Sequence, residues 1–298
     1  MKPASFVYHR PTDLGDALAA LAEVGHDGKV LAGGQSLVPV LTMRLAAPGH
    51  LVDINRLAEL RHVTVTGDAV RVGALARHTD LERDEPAYAV LPLLRRATAH
   101  VAHRTIRNRG TTVGSLVHAD PAAELPAVLA VLAGEVELVR AGGGRRLVPA
   151  GEFFLGPLES AVRPGELAVS ATFPVPPAGT GSAWLELSRR RGDYALVGVG
   201  VLVTLDAEQR VTRVRAGYVS VGPTPIVLDL TDAVAGQRYD EAAWAAAGAL
   251  AATLVHPEED IHATAAYRRH LVAVLTSRAA QRAGADAAGT GAGTEGAE

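Results

Sequence analysis

Two glycines follow a short apolar segment near the N-terminus, in an arrangement that suits anion binding. The segment from Lys29 to Ala32 predicts a short buried strand, which runs directly into Gly33-Gly34-Gln35-Ser36 ahead of a short predicted helix. Paired glycines let consecutive backbone N–H groups turn toward one anion, because no Cβ stands in the way. The same residues also fit an ordinary strand-to-helix turn capped by Ser36, so both interpretations stay open.

A second glycine-containing segment, Gly110-Thr111-Thr112-Val113-Gly114-Ser115, offers hydroxyl and backbone N–H donors. It follows three arginines, at positions Arg104, Arg107 and Arg109. Two such segments can clamp a diphosphate from opposite sides, and several hydrogen bonds of about 1.5–3 kcal/mol each can hold a dinucleotide tightly. The arginines can equally form a solvated turn or contact another subunit.

Other polar and aromatic residues carry weaker signals. His118, Asp120 and Glu124 lie close together in the sequence, but their spacing matches no metal site and is typical of a helix start. Asp193-Tyr194 precedes a long apolar strand, where the aromatic side chain can stack on a flat ring or simply begin the core.

The elements that position these residues follow from the spacing of the apolar side chains. Helices are predicted at residues 12–24, 91–103, 126–133, 242–255 and 261–282. Strands are predicted at residues 29–32, 51–54, 63–66, 69–72, 135–140, 146–149, 183–187, 196–205 and 211–221. After the Pro- and Gly-rich stretch at 174–179, we expect a small antiparallel sheet backed by helices.

Composition excludes several classes of protein. The chain has 298 residues, 48% hydrophobic and 20% charged, which is typical of a folded protein. Its formal net charge of −3 gives no overall attraction for nucleic acid or for an anionic membrane. The absence of cysteine excludes disulfides and any cysteine-ligated iron–sulfur cluster on this chain. With neither a membrane-spanning run nor a secretory signal, we expect a cytoplasmic protein.

Five motifs, taken in chain order, carry a resemblance to a known family. They are Ala32–Ser36, Asp53-Ile54-Asn55, Arg107–Ser115, His118–Pro126 and Gly192–Leu196. Together they resemble the FAD-binding medium subunit of the molybdenum hydroxylases, above all that of aerobic carbon monoxide dehydrogenase, within the wider xanthine dehydrogenase family. The resemblance covers about residues 1–282, in the same order and with the length of the family's subunit.

The resemblance implies an α+β fold in three parts. Two subdomains form a FAD-binding fold of the vanillyl-alcohol-oxidase or p-cresol-methylhydroxylase type, and a small C-terminal domain with an antiparallel sheet and helices follows. We therefore expect one FAD-binding subdomain at residues 1–56 and the second at residues 57–174. The C-terminal carbon monoxide dehydrogenase flavoprotein-like domain is expected at residues 180–282, and a disordered tail at residues 283–298.

The family's cofactor contacts can be carried over to matching positions. By this likeness, Ala32–Ser36 and Thr111–Ser115 hold the pyrophosphate of FAD, while Lys29, Val30 and Leu31 line the approach. The remaining expected contacts are Asp53 and Ile54 in the cofactor cleft, Glu124 near the adenosine end, Leu167 lining the cleft, and Asp193-Tyr194 with the tyrosine beside the isoalloxazine ring.

One position departs from the family's pattern. Val113 stands where the family commonly has the first glycine of a Gly-Gly pair. Because a β-branched residue does not readily adopt φ > 0, we expect either an extended backbone at Val113 or a rearranged contact with the diphosphate.

The function implied by the resemblance is that of an electron-transfer subunit. A large subunit would oxidise the substrate at a molybdenum cofactor, a small [2Fe-2S] subunit would relay single electrons, and the FAD of this chain would pass them to an external acceptor, in a heterotrimer or a dimer of heterotrimers. No catalytic side chain and no metal are expected here. Two alternatives stay open: a stand-alone flavoprotein oxidoreductase of the same fold, and a flavin-free scaffold.

Overall fold

The computed structural model of the protein describes residues 2–238 and 241–289. The chain forms two compact units. The first unit comprises Met1–Ala87, His103–Ala119 and Ala133–Pro174, and the second comprises Tyr88–Ala102, Asp120–Leu132 and Val175–Glu298. Each unit is therefore assembled from segments that are distant in the sequence.

The described residues contain the following strands and helices. The strands are β1 (Val7–His9), β2 (Gly28–Leu31), β3 (His50–Asp53), β4 (Val63–Val65), β5 (Ala69–Gly73), β6 (Glu135–Arg140), β7 (Arg145–Pro149), β8 (Phe154–Gly156), β9 (Glu159–Ser160), β10 (Glu166–Pro174), β11 (Thr180–Ser188), β12 (Ala195–Leu205), β13 (Val211–Val219) and β14 (Ile226–Asp229). The helices are α1 (Leu14–Val24), α2 (Leu37–Thr42), α3 (His78–Glu82), α4 (Glu85–Val90), α5 (Pro92–Thr98), α6 (Arg104–Arg107), α7 (Thr112–His118), α8 (Glu124–Val131), α9 (Ala150–Phe153), α10 (Glu241–Leu254) and α11 (Ala265–Ala287).

A parallel sheet of order β1-β3-β2 brings the first glycine segment close to Asp53. Because the strands are parallel, their carboxyl ends meet at one edge of the sheet, where β2 runs into Ala32 and β3 ends at Asp53. Helix α1 packs against β3 and buries Ala17 and Leu21. Its N-terminus is capped by the Asp13 carboxylate, which accepts a hydrogen bond from a backbone N–H in the first turn.

A five-stranded antiparallel sheet of order β4-β5-β10-β6-β7 supports the second glycine segment. Its central strand, β10, pairs with β5 on one side and with β6 on the other. Val72, Val136, Leu138 and Phe173 are fully or almost fully buried in its core. Helix α7, which begins inside the second glycine segment, packs against β5 and β10 and is thereby fixed to this sheet.

The second unit is an antiparallel sheet of order β11-β12-β13-β14 with helices on both faces. One face of β12, including Val199 and Val201, shares a core with Trp244 of α10 and with α11. On the other face Gly217 lies so close to α8 that a Cβ there would be 2.9 Å from the carbonyl oxygen of Ala127. Strand β12 is covered on both sides, which explains its continuous apolar sequence. The predicted α+β fold class is confirmed.

Several predicted helix limits were wrong. Helix α5 ends at Thr98 instead of continuing to residue 103, and Ala102 has a left-handed φ of 42° that ends any helical continuation. Helix α8 begins at Glu124, two residues before the predicted start at Pro126. Helix α11 begins at Ala265 and not at residue 261. The predicted subdomain limits at residues 56 and 57, and the domain limits at 174 and 180, stay predictions.

The predicted disordered tail at residues 283–298 was wrong for its first residues. Helix α11 continues to Ala287. Ala283 is fully buried, and the Asp286 carboxylate accepts hydrogen bonds from the guanidinium of Arg96 at 2.9 and 3.1 Å and from the backbone N–H of Ser182 at 2.9 Å. These contacts order the end of the helix. Residues 290–298 lie outside the described residues.

Candidate functional site

The first glycine segment is an open turn at the end of β2. Gly34 has a φ of 74°, a conformation that glycine adopts without strain. Within the described chain, the backbone N–H groups of residues 33–36 donate to no protein acceptor, whereas the carbonyl oxygen of Gly34 accepts from the N–H of Val38 at 3.0 Å. Consecutive unpaired N–H groups of this kind can bind the oxygens of an anion.

The second glycine segment forms the N-terminus of α7, which begins at Thr112. The Thr111 hydroxyl caps the helix by accepting a hydrogen bond from the N–H of Gly114 at 3.1 Å. The backbone N–H of Thr112 donates to Ala76 at 3.3 Å, whereas its hydroxyl is buried and has no partner among the described residues. This segment therefore contains a polar group that the surrounding protein does not satisfy.

Val113 occupies the second position of α7 and is 2% exposed. Its backbone is helical and its φ is not positive, so the first of the two alternatives expected there, an extended backbone, was wrong. The second, a rearranged contact with the diphosphate, stays a prediction. A helical φ suits a β-branched side chain, which packs into the interior while the N–H stays on the helix terminus. No acceptor in the described part of the chain receives the N–H of Val113.

The structure brings the two glycine segments together. A Cβ at Gly33 would overlap the carbonyl oxygen of Arg109 and would lie 2.9 Å from the Cα of Gly110. Since only glycine permits this approach, the first segment must have glycine where it meets the second. The two sets of unpaired donors consequently belong to one site.

Arginine side chains lie close to this site, together with two carboxylates. Burial and the neighbouring guanidinium groups of Arg109 and Arg61 lower the pKa of Arg77, with Asp80 and Asp53 acting in the opposite direction. Arginine side chains are thus grouped around the point where the segments meet. Unpaired backbone donors with adjacent positive charge fit a diphosphate, which is the part of FAD that the sequence assigns to these segments.

Asp53 and Ile54 lie at this edge of the sheet but face the protein. The Asp53 carboxylate accepts hydrogen bonds from the Tyr8 hydroxyl and from the backbone N–H and side-chain amide of Asn55, the last two at 2.9 and 2.6 Å. Burial raises the pKa of Asp53, but these hydrogen bonds outweigh it and hold the pKa below its usual value. Ile54 is 1% exposed. Their predicted place in the cofactor cleft stays a prediction.

His78 lies beneath the second segment, and no motif in the sequence marks it. Its ring packs against Gly110, where a Cβ would be 2.8 Å from the ring carbon Cδ2, and its backbone N–H donates to the carbonyl of Gly110 at 3.0 Å. Burial, reinforced by the guanidinium groups of Arg107 and Arg77, lowers the pKa of His78 to about 4. A neutral imidazole therefore supports the turn at neutral pH.

The other predicted contacts in the first unit lie on strands. Lys29 is exposed on β2, and Val30 and Leu31 beside it are partly buried. Leu167 lies on β10, opposite Val139 of β6, and is 2% exposed. These positions are consistent with a supporting role for Leu167 inside the sheet, and their predicted contacts with the cofactor stay predictions.

The remaining predicted contacts belong to the second unit. Tyr194 precedes β12 and is 68% exposed, and Glu124, the first residue of α8, is 9% exposed. Burial of part of the ring, followed by the carboxylates of Asp120, Glu124 and Asp193, raises the pKa of the Tyr194 hydroxyl. The Asp193 carboxylate accepts from the backbone N–H of Tyr194 at 3.0 Å. Tyr194 thus presents a neutral, accessible ring near several carboxylates.

Two further residues of the site, Asn55 and Arg77, were missed as functional residues. Asn55 was visible as part of the Asp53-Ile54-Asn55 motif, but the motif does not reveal what its amide contacts. Arg77 carries no sequence signal, because an isolated arginine after a strand is usually a surface residue.

No helix in the described part of the chain is long and apolar enough to cross a membrane.

Two protein families match the chain in tandem. The FAD binding domain in molybdopterin dehydrogenase matches residues 4–176, and the CO dehydrogenase flavoprotein C-terminal domain matches residues 182–283. The chain therefore belongs to the family of FAD-binding medium subunits of the molybdenum hydroxylases. It is an oxidoreductase subunit that binds FAD.

Individual relatives agree with this assignment over nearly the whole chain. The 6-hydroxypseudooxynicotine dehydrogenase complex subunit alpha of Paenarthrobacter nicotinovorans is 38% identical over 284 residues, which cover 95% of this chain and 96% of that relative. The caffeine dehydrogenase subunit beta of a Pseudomonas species is 37% identical, with 95% and 96% covered. A solved chain of the carbon monoxide dehydrogenase from Hydrogenophaga pseudoflava superimposes with a TM-score of 0.89 at 36% identity, with 96% and 99% covered.

Proposed function

We propose that this chain carries electrons from iron–sulfur clusters of a partner subunit, through its FAD, to an external acceptor. The observation that carries the proposal is the junction of the two glycine segments, where unpaired backbone N–H groups and neighbouring arginines form one anion site. Bound FAD exchanges either one or two electrons and so suits a junction between single-electron carriers and a two-electron acceptor. The chain's own residues bind and orient the cofactor.

The two glycine segments, Glu124 and Tyr194 each have a defined part in this proposal. Ala32–Ser36 and Thr111–Ser115 hold the diphosphate, the first segment through the unpaired backbone N–H groups of residues 33–36 and the second through the N–H of Val113 and the hydroxyl of Thr112. Glu124 binds near the adenosine end, and the accessible ring of Tyr194 provides a surface for the isoalloxazine. The hydroxyl of Tyr194 keeps its proton at neutral pH because burial and the surrounding carboxylates raise its pKa. Tyr194 therefore stacks and does not serve as a base.

The partners follow from chemistry that this chain lacks. It contains no cysteine, so a cysteine-ligated iron–sulfur cluster must be on another polypeptide. The relatives are named as subunits or chains of larger dehydrogenases. We accordingly propose a large subunit with the molybdenum cofactor and a small [2Fe-2S] subunit, in a heterotrimer or a dimer of heterotrimers.

Replacement of Gly33 tests the cofactor site. Gly33→Ala forces the first segment away from Arg109, and we expect the affinity for FAD to fall at least tenfold. Gly67→Ala is the matched control, because a Cβ at Gly67 meets nothing within 4 Å. The dissociation constant is measured by the change of flavin fluorescence on titration with deflavinated protein. Equal affinities of G33A, G67A and the wild type would contradict the proposed site.

Purification from the native host tests the electron route. We expect molybdenum and iron to co-purify with the complex, with flavin alone remaining on this chain after the subunits are separated. Anaerobic addition of substrate should bleach the flavin in the complex but not in the isolated chain. Turnover by the isolated chain would instead support a stand-alone flavoprotein oxidoreductase, and failure of the chain to take up FAD would support a scaffold.

A further inference from the structure

A chain of side-chain hydrogen bonds joins the two glycine segments. The side-chain amide of Asn55 donates to the carbonyl oxygen of Ala32 at 2.7 Å, and its oxygen accepts from Nη2 of Arg77 at 2.6 Å. The other terminal nitrogen of Arg77, Nη1, donates to the carbonyl oxygen of Arg109 at 2.6 Å. Ala32 opens the first segment and Arg109 immediately precedes the second, so the two side chains span the whole junction.

Both ends of this bridge are held by further contacts. The amide of Asn55 also donates to Asp53 at 2.6 Å, and Asp53 is fixed by the Tyr8 hydroxyl. The backbone N–H of Arg77 donates to the carboxylate of Asp80 at 3.0 Å, and Asp80 forms two hydrogen bonds of 2.9 Å with Arg61. The bridge is thus attached to β3 at one end and to the start of α3 at the other.

We propose that Asn55 and Arg77 are positioning residues that set the separation of the two glycine segments to that of the FAD diphosphate. The inference rests on the proposed function. Asn55 and Arg77 direct their hydrogen bonds to protein atoms, so their effect on FAD passes through the segments. The planar guanidinium presents two donors in a fixed fork, which a lysine ammonium cannot reproduce. The close approach at Gly33 and this bridge together fix the spacing.

Removal of either side chain should weaken cofactor binding without a direct contact being lost. We expect Asn55→Ala and Arg77→Met each to raise the dissociation constant for FAD about 10- to 100-fold, the usual effect of losing a charge-assisted hydrogen bond. Because the two residues act as one bridge, the double variant should bind FAD about as weakly as the weaker single variant. Full additivity of the two effects would overturn the proposal.

A lysine variant separates positioning from charge. Arg77→Lys keeps the positive charge but not the fork, so we expect it to bind FAD nearly as weakly as R77M, at low and at high salt. Affinity at the wild-type level in R77K would overturn the proposal, because the charge alone would then suffice. R77K also serves as the informative variant if R77M fails to fold.

The affinity for ADP provides a second readout, because it shows whether the variants affect binding of the diphosphate part of FAD. The affinity for ADP, which carries the diphosphate without the flavin ring, should fall by the same factor as that for FAD. Arg146→Met is the matched control, because Arg146 donates to Glu166 at 2.7 and 2.9 Å and to the carbonyl oxygen of Ala161, and to neither glycine segment. This variant should leave the affinities for FAD and for ADP unchanged. Unchanged ADP binding in R77M would overturn the proposal. Failure of the wild type to bind FAD would instead refute the proposed function itself.

Discussion

The buried His78 should make the folded protein less stable in mild acid, because it stays neutral at pH values where the unfolded chain takes up a proton. His78 is 3% exposed, lies against Gly110 and has its pKa lowered to about 4, chiefly by burial. In the unfolded chain, the same side chain takes up a proton near pH 6.5. The native structure therefore binds fewer protons than the unfolded chain between these two pH values.

The sign and size of the effect follow from linkage. The stabilisation from a neutral His78 is fully present above pH 6.5 and is lost as the pH falls toward the folded pKa. A pKa change from 6.5 to about 4 corresponds to about 3 kcal/mol of unfolding free energy lost by pH 4. That is a large part of the net stability of an ordinary domain.

The assay compares the wild type with His78→Leu in urea unfolding, followed by circular dichroism at pH 7, 6, 5 and 4.5. Between pH 6 and 4.5, the free energy of unfolding of the wild type should fall more steeply than that of H78L, by about 1 kcal/mol per pH unit. Other titrating groups affect both proteins equally. Equal pH slopes, or titration of the His78 ring near 6.5 by NMR, would refute the reasoning.

Two further predictions concern the second unit. Arg268 is buried and donates to the carbonyl oxygens of Leu196 and Ser220. Arg268→Met should therefore lower the free energy of unfolding by about 3 kcal/mol. Replacement of an exposed arginine, Arg213→Met, should lower it by less than about 0.5 kcal/mol. Burial raises the pKa of Glu186 to about 7, so its stabilising contribution is present below pH 4.5 and is lost as the pH rises through 7. Glu186→Gln should therefore gain stability relative to the wild type between pH 5 and pH 8, and a constant difference would contradict this.

Strands and turns were predictable where the local pattern and the tertiary contacts agree. The alternating residues at 63–72 form the β4-β5 hairpin with Gly67 at the turn, and residues 196–205 form the central strand β12. Both patterns reflect which faces of a strand are buried. Successive side chains of a strand point to opposite faces, so the spacing of apolar residues in the sequence shows this directly. The helix predicted at residues 12–24 likewise forms α1, which Asp13 caps.

Helix ends were less predictable, because tertiary contacts determine them. No glycine or proline marks the end of α5, which stops where Ala102 enters a left-handed conformation that alanine seldom adopts. Ile261, where the predicted helix starts, is 94% exposed. The helix instead begins after Thr264, whose hydroxyl accepts from the N–H of Tyr267 at 3.2 Å. At the other end, Asp286 is held by Arg96, a residue 190 positions earlier.

The candidate site, like the fold, was only partly predictable from the sequence. The glycine segments were visible in the sequence because a backbone that binds an anion needs glycine at fixed places. The bridge of Asn55 and Arg77 was not visible, because it joins residues 22 positions apart and depends on a fold that brings Ala32 close to Arg109. At Val113 the sequence comparison misled in the opposite way. The Gly-Gly pattern of the family suggested that the backbone there needs φ > 0, whereas Val113 lies in the first turn of α7 and is helical.

The substitutions that the candidate site tolerates depend on which atoms hold the ligand. When a ligand is held by backbone N–H groups, a side chain in the binding segments can change wherever the backbone conformation allows it, and the helical backbone of Val113 is compatible with a β-branched side chain. The geometry of the backbone must then be specified by residues outside the segments: His78 beneath Gly110, and Asn55 with Arg77 across the junction. The side chains that determine cofactor affinity are therefore expected to be those that shape the segments as well as those that touch FAD.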